Sequence, residues 1–199
     1  MYKVPIHVLI VDDSRSRANL LKRSVKEFGF QPVVEDSVRA PLCSRVTHAK
    51  PDLLIISVDT LAPELLEDLI QINQTAPLPV VIFAENNTPE MIQQVIHAGV
   101  SAYVVDELQP IRVGTILEIA LARFAEQQKL RQELAQTKEK LAERKVVEVA
   151  KGLLMQHKHM TEHEAYQCLR KLSMDKGKPM TKVAENIVEV LSLLSETST

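Results

Sequence analysis

Two groups of residues in this 199-residue chain have the types and spacing to do chemistry. The first is basic: Arg144, Lys151, Lys158, Arg170, Lys171, Lys176, Lys178 and Lys182 crowd the C-terminal part, and flexible or forked cations on an exposed face suit contact with phosphates. Residues 138–182 carry 11 Lys/Arg against 6 Asp/Glu, with His157, His159 and His163 in addition, whereas residues 1–125 carry 11 against 15. A net charge of −2 hides this division, which points to a polyanion partner for the C-terminal part. Tyr166 and Arg170 are four apart on one helix face and could offer an aromatic ring and a guanidinium plane to unpaired bases. Tyr166 suits the boundary of a core equally well. The second group is acidic. Asp12 and Asp13 end the apolar run Ile6–Val11, and such paired carboxylates are hard oxygen ligands for a cation; they suit capping of the following helix through Ser14 as well.

The basic residues must be positioned by three short helices. Up to about Gln156, Val146, Val149, Ala150, Leu153 and Leu154 mark a core face. Arg144, Lys151, Met155 and Lys158, at intervals of seven, four and three, mark an exposed stripe on the other side. Gly152, in mid-helix, costs about 1 kcal/mol relative to Ala; close helix packing is the expected compensation, and close approach of a nucleotide the other reading. Thr161-Glu162-His163-Glu164 is a capping box that opens a second helix with Ala165, Cys168, Leu169 and Leu172 inward. Lys176-Gly177-Lys178-Pro179 ends it, and Thr181 is expected to cap a third helix with Val183, Ile187, Val190, Leu191 and Leu194 inward.

The acidic pair must be positioned by the front half, which alternates strands and helices. Ile6–Val11, Gln31–Glu35, Leu53–Val58, Pro79–Ala84 and Ala102–Val105 read as strands, separated by helices over Arg15–Phe28, Val38–His48, Pro63–Asn73 and Pro89–Ala98. Strands apolar on both faces predict a parallel sheet covered on both sides. Asp12, Asp13, Ser57, Ala84 and Asp106 fall at its carboxyl edge, where ligands gather in such sheets.

No Pro or Gly lies between Thr115 and Lys151, which predicts one long helix linking the two halves. Leu130, Leu134, Thr137 and Leu141 keep a four-three-four spacing along it, a short seam for a parallel homodimer or for packing on its own domain. Residues 126–145 have no evident cover within the chain, which favours the dimer.

At 45% hydrophobic and 25% charged, the composition is that of a soluble protein with one medium and one small domain. No apolar run is long enough to cross a membrane, and the acidic end of the first run disqualifies a signal peptide, so a cytoplasmic protein is expected. Cys43 and Cys168 stand at no metal or redox spacing. The sequence holds no nucleophile-base pair, glycine-rich phosphate loop or ligand cluster, which argues against an enzyme.

Val8-Leu9-Ile10-Val11-Asp12-Asp13, Pro51-Asp52-Leu53-Leu54-Ile55-Ile56, Pro79-Val80-Val81-Ile82 and Gly99-Val100-Ser101-Ala102-Tyr103-Val104-Val105 resemble the strands of a response-regulator receiver domain. The resemblance implies a flavodoxin-like fold with a five-stranded parallel sheet over residues 1–122. Receivers hold Mg²⁺ on the acidic pair, phosphorylate an Asp after the third strand, and read the phosphate with a Thr or Ser and a Lys. Here those later positions are Ser57, Ala84 and Asp106. Serine cannot form the mixed anhydride, alanine cannot donate to a phosphate, and Asp106 would repel it. Phosphorylation switching is therefore not expected, unless a register shift brings Asp59 into the acceptor position at the expense of Leu61.

Ala150-Lys151-Gly152-Leu153-Leu154-Met155, Thr161-Glu162-His163-Glu164-Ala165-Tyr166 with Leu169-Arg170, and Val183-Ala184 with Ile187-Val188 resemble the ANTAR domain of RNA-binding transcription antiterminators. The whole arrangement is most similar to the NasT-type regulators of nitrate assimilation. The resemblance implies a coiled-coil linker over residues 123–143 and an ANTAR three-helix domain over 144–195. It implies a homodimer that binds stem-loops in an mRNA leader and prevents terminator formation. Arg144, Lys151, Gly152, Lys158, Tyr166, Arg170 and Lys171 are its candidate RNA-binding residues. With the phosphate relay dismantled, it further implies control by a partner that senses a small molecule such as nitrate or nitrite. Two other classes stay open. One is a DNA-binding response regulator reading the major groove with residues 181–194, whose polar face carries Glu185, Glu189 and Lys182. The other is an adaptor acting through the receiver and coiled coil alone.

Overall fold

Large aliphatic and β-branched residues dominate each apolar run, and a helix follows each, so the runs form strands that must lie parallel. The computed structural model describes residues 5–35, 41–85, 88–105 and 109–196. In chain order the elements are β1 (His7–Asp12), α1 (Arg15–Glu27), β2 (Gln31–Glu35), α2 (Leu42–Ala49), β3 (Leu53–Val58), α3 (Pro63–Thr75), β4 (Val80–Ala84), α4 (Pro89–His97), β5 (Ala102–Val105), α5 (Pro110–Lys158), α6 (Glu162–Lys176) and α7 (Met180–Glu196). The expected start of α2 falls partly on residues 36–40, outside the described ones. The chain divides into two compact units, Met1–Gln128 and Lys129–Thr199.

In the first unit all strand pairs are parallel, and their order is β2-β1-β3-β4-β5, the flavodoxin-like arrangement. Alternation along each strand splits the core between the two faces. Leu9, Val11, Leu54, Ile56 and Ile82 pack with Leu42 and Val46 of α2, Leu66 and Leu69 of α3, and Val95 of α4. Val8, Ile10, Leu53, Ile55, Val81 and Phe83 pack with Leu21 and Val25 of α1 and with Val113, Leu117 and Ala120 of α5. Register sets Asp12 opposite Ser57 and Val58 opposite Ala84. Leu61 is buried as the unshifted register requires, and Asp59 lies beyond the end of β3.

The expected long helix is α5. It stops at Lys158, where His159 takes a left-handed conformation with φ 53°, the usual signature of a helix end. Thr161 then opens α6 with the complete capping box, accepting from the Glu164 N–H while Glu164 accepts from the Thr161 N–H. Gly177 closes α6 with φ 59°, a backbone region that costs glycine nothing.

Ala150, Leu154, Ala165, Leu169, Val183 and Ala184 form the core of the second unit, with Val146, Val147, Leu172, Ile187, Val188 and Leu191 around them. Three expectations are corrected here. Val149 and Val190 are exposed, because the covered stripes of α5 and α7 are rotated toward Val147 and toward Ala184 and Val188. Thr181 does not cap α7, which already begins at Met180. The side chain of Leu194 lies outside the described residues.

Candidate functional sites

Asp12, Ser57 and Ala84 lie near the carboxyl ends of their strands, at one edge of the sheet. Asp12 ends β1 with its side chain fully covered. Its Oδ1 accepts from the Ser14 N–H at 2.8 Å and from Arg17 Nε at 3.3 Å, while Oδ2 is buried without a hydrogen-bond partner. Burial raises the Asp12 pKa above the ordinary carboxylate value. The Ser14 N–H, the neighbouring Ser57 hydroxyl and the Arg17 charge offset only part of that. The capping alternative is half right: Asp12 serves the Ser14 N–H, but Ser14 itself, the residue before α1, makes no side-chain cap. Ser57 and Ala84 are buried at the ends of β3 and β4. Asp106 lies outside the described residues.

Arg17 is the residue that sequence reasoning missed. From α1 its guanidinium reaches Asp12 and Asp13 through Nε and Nη2, and Asp59 and Glu85 through Nη1, the last at 2.9 Å. Burial disfavours its charge, but the Asp59 hydrogen bond and the Asp12, Asp13 and Asp59 charges prevail and raise its pKa above the arginine norm. The only sequence signal was the i,i+4 pair of Asp13 and Arg17; Asp59 and Glu85 are too distant in the chain to show any. The Mg²⁺ implied by the receiver resemblance does not fit the residues as they stand. Asp12 and Asp13 are both turned onto a guanidinium, and among the described residues no three His, Cys, Asp or Glu side chains converge on a point where an ion could sit.

In the second unit the expected cationic stripe is broken. Lys151 is only 7% exposed. Its Nζ is 2.9 Å from Glu148 and 2.8 Å from Glu162 in the first turn of α6. These hydrogen bonds hold the Lys151 pKa above, and the Glu162 pKa below, their ordinary values. The placement of Lys151 on an exposed face is thus overturned. The buried stripe of α5 is rotated toward it, and the capping box delivers a carboxylate to its ammonium.

Arg144, Lys158, Arg170 and Lys171 are exposed, as are Lys145, Lys176 and Lys178. Tyr166 is 42% exposed, so it lies outside the core. Met174, 73% exposed, continues the four-residue spacing of Tyr166 and Arg170, giving α6 one outward row of a ring, a guanidinium and a thioether. Within the chain Gly152 packs against nothing: it is exposed, and a Cβ there would meet nothing within 4 Å. Every residue from 129 to 145 is exposed. Within that stretch Leu130, Leu134 and Leu141 are more than half exposed, and the Thr137 hydroxyl donates to Glu133 O at 2.7 Å.

The ANTAR-domain model matches residues 135–188. The chemotaxis protein CheY of Listeria monocytogenes is 30% identical over 118 residues, covering 58% of this chain and 98% of that protein. The chain belongs to the response-regulator family and carries an ANTAR domain. Both parts of this ANTAR regulator align with one relative: the transcriptional regulatory protein PdtaR of Mycobacterium tuberculosis is 29% identical over 194 residues, 98% of this chain and 95% of that one. The nitrate regulatory protein of Klebsiella oxytoca is 38% identical over 78 residues, which is 39% of this chain and 20% of that protein. The ANTAR match takes in the second half of α5, all of α6 and the start of α7, so the exposed α6 row and the buried Lys151 pair both lie inside it.

Proposed function

We propose that this ANTAR regulator is an RNA-binding antiterminator of the cytoplasm that, as a homodimer, binds stem-loops in an mRNA leader and prevents a terminator hairpin from forming. The observation that carries this reading is the outward row Tyr166, Arg170 and Met174 on α6, with Lys171 beside it. A ring and a guanidinium at one-turn spacing suit splayed bases, and the surrounding cations suit phosphates. Lys182, the only cation proposed for a DNA-reading α7, is instead paired with Glu185 at 2.7 Å.

Dimerisation is supported by the bare stretch of α5. A helix polar nearly all round gains little from standing alone in water, and three leucines in one exposed row favour a second copy of the same helix. Leu130, Leu141 and Gly152 are spaced by eleven residues, which returns them to one helix face. Gly152 then extends the seam and lets two helices approach closely.

Control by a small-molecule-sensing partner, in place of receiver phosphorylation, is supported by Ser57 and Ala84 at the acceptor and hydroxyl positions. The likeness to a nitrate regulatory protein over part of the chain supports nitrate or nitrite assimilation genes as the target. The test is binding of purified full-length protein to structured leader RNA and to duplex DNA of equal length across a salt series. Preference for the hairpin RNA, with affinity falling steeply as salt rises, is the expected result; equal preference for duplex DNA would refute it.

A further inference from the structure

Four carboxylates in this receiver face one another across the carboxyl edge of the sheet. Asp12 and Asp13 come from the end of β1, Asp59 from beyond β3 and Glu85 from beyond β4. Such a set of hard oxygen ligands, drawn from three loops, ordinarily repels itself unless a cation sits within it. The cation here belongs to the chain. All three guanidinium nitrogens of Arg17 are used, each on a carboxylate of the set. The side chain is 21% exposed, and Asp12 is fully covered beneath it. A guanidinium is planar, permanently charged and forked, so it can bridge several carboxylates that do not converge on a point.

We propose that the Arg17 guanidinium is the built-in cation of this receiver: it takes the place of a divalent metal among Asp12, Asp13, Asp59 and Glu85, fastens three strand-end loops to α1, and closes the cluster to Mg²⁺. The wild-type receiver is then held in one arrangement without any ligand. Removing the guanidinium takes away the cation that Asp12, Asp13 and Glu85 share, and Asp13 and Glu85, whose side chains are about half exposed or more, can then turn onto a metal ion. This inference concerns the receiver alone and stands apart from the RNA reading.

The experiment compares the full-length wild type with Arg17→Ala and Arg17→Lys by thermal unfolding in EDTA and in millimolar Mg²⁺, with Mn²⁺ titration followed by water-proton relaxation. On this proposal the wild type shows no saturable Mn²⁺ binding and the same melting temperature with and without Mg²⁺. Arg17→Ala melts lower in EDTA, binds Mn²⁺ saturably, and regains stability with Mg²⁺ but not with NaCl of equal ionic strength. Arg17→Lys, which restores the positive charge but not the fork that reaches all four carboxylates, melts between wild type and Arg17→Ala in EDTA and gains less from Mg²⁺ than Arg17→Ala does. If Arg17→Ala does not fold in EDTA, recovery of its folded signal by Mg²⁺ supports the proposal and failure to recover overturns it. Saturable metal binding by the wild type, abolished by Asp13→Asn, overturns it as well. So does an Arg17→Ala protein that is as stable as wild type and blind to metal.

Discussion

Gly152→Ala separates folding from assembly. Gly152 is in the interior of α5, exposed, with nothing within 4 Å of an added Cβ, so the substitution removes the helix cost of glycine, about 1 kcal/mol, without a clash. The unit that contains it spans Lys129–Thr199, and for a domain of that size 1 kcal/mol corresponds to about 4–8 °C in Tm. The C-terminal transition of the full-length protein, followed by circular dichroism at low protein concentration so that association contributes little, should therefore rise by that amount. Assembly should move the other way. If Gly152 lies where two α5 helices approach, a methyl on each copy pushes them apart, and the dimer dissociation constant measured by sedimentation should rise by about tenfold, a change of about 1.4 kcal/mol. A fall in the melting temperature would refute the argument that nothing in the fold needs this glycine. A rise in stability with dimerisation unchanged would refute its place in the seam.

Leu169→Ala removes a fully buried side chain from the small core of the second unit and should cost about 2–5 kcal/mol, seen as loss of the C-terminal unfolding transition while the receiver transition remains. Arg170→Ala should weaken hairpin RNA binding and lower the slope of log affinity against log salt by about 1, with folding unchanged by circular dichroism; an unaltered slope would place Arg170 outside the phosphate contacts. The Glu164 carboxylate is held below its ordinary pKa by the Thr161 N–H and hydroxyl. Its contribution is thus present above the ordinary carboxylate range and lost as pH falls through the depressed value. Acid titration of α6 helicity should show this loss in the wild type and not in Glu164→Gln.

Much of the fold was legible because local pattern and global structure agree. Runs such as Leu53–Val58, buried through Ser57, read as strands of a sheet covered on both sides, and the capping box at Thr161 marked the start of α6 with its two bonds intact. The candidate sites were less legible. Met174 followed the spacing of Tyr166 and Arg170, yet a methionine at helical spacing is more often core than surface. Lys151 looked like one more surface cation, because its partner Glu162 is reached only after α5 has ended and the chain has turned.

The sequence by itself determined the main elements, the parallel sheet and the long helix, since each depends on residue type and short-range period; that Ser57 stands where receivers carry the acceptor carboxylate rests on the resemblance to that family. Tertiary structure alone decided how far each amphipathic helix is rotated. An apolar stripe spans a wide arc, so the neighbouring helices choose whether Val149 or Lys151 is covered. It alone decided that Asp59 and Glu85, which lie 42 and 68 residues from Arg17, meet one guanidinium. Charge attraction between residues so far apart leaves no period in the sequence, and only the crossovers of the sheet bring those strand ends together.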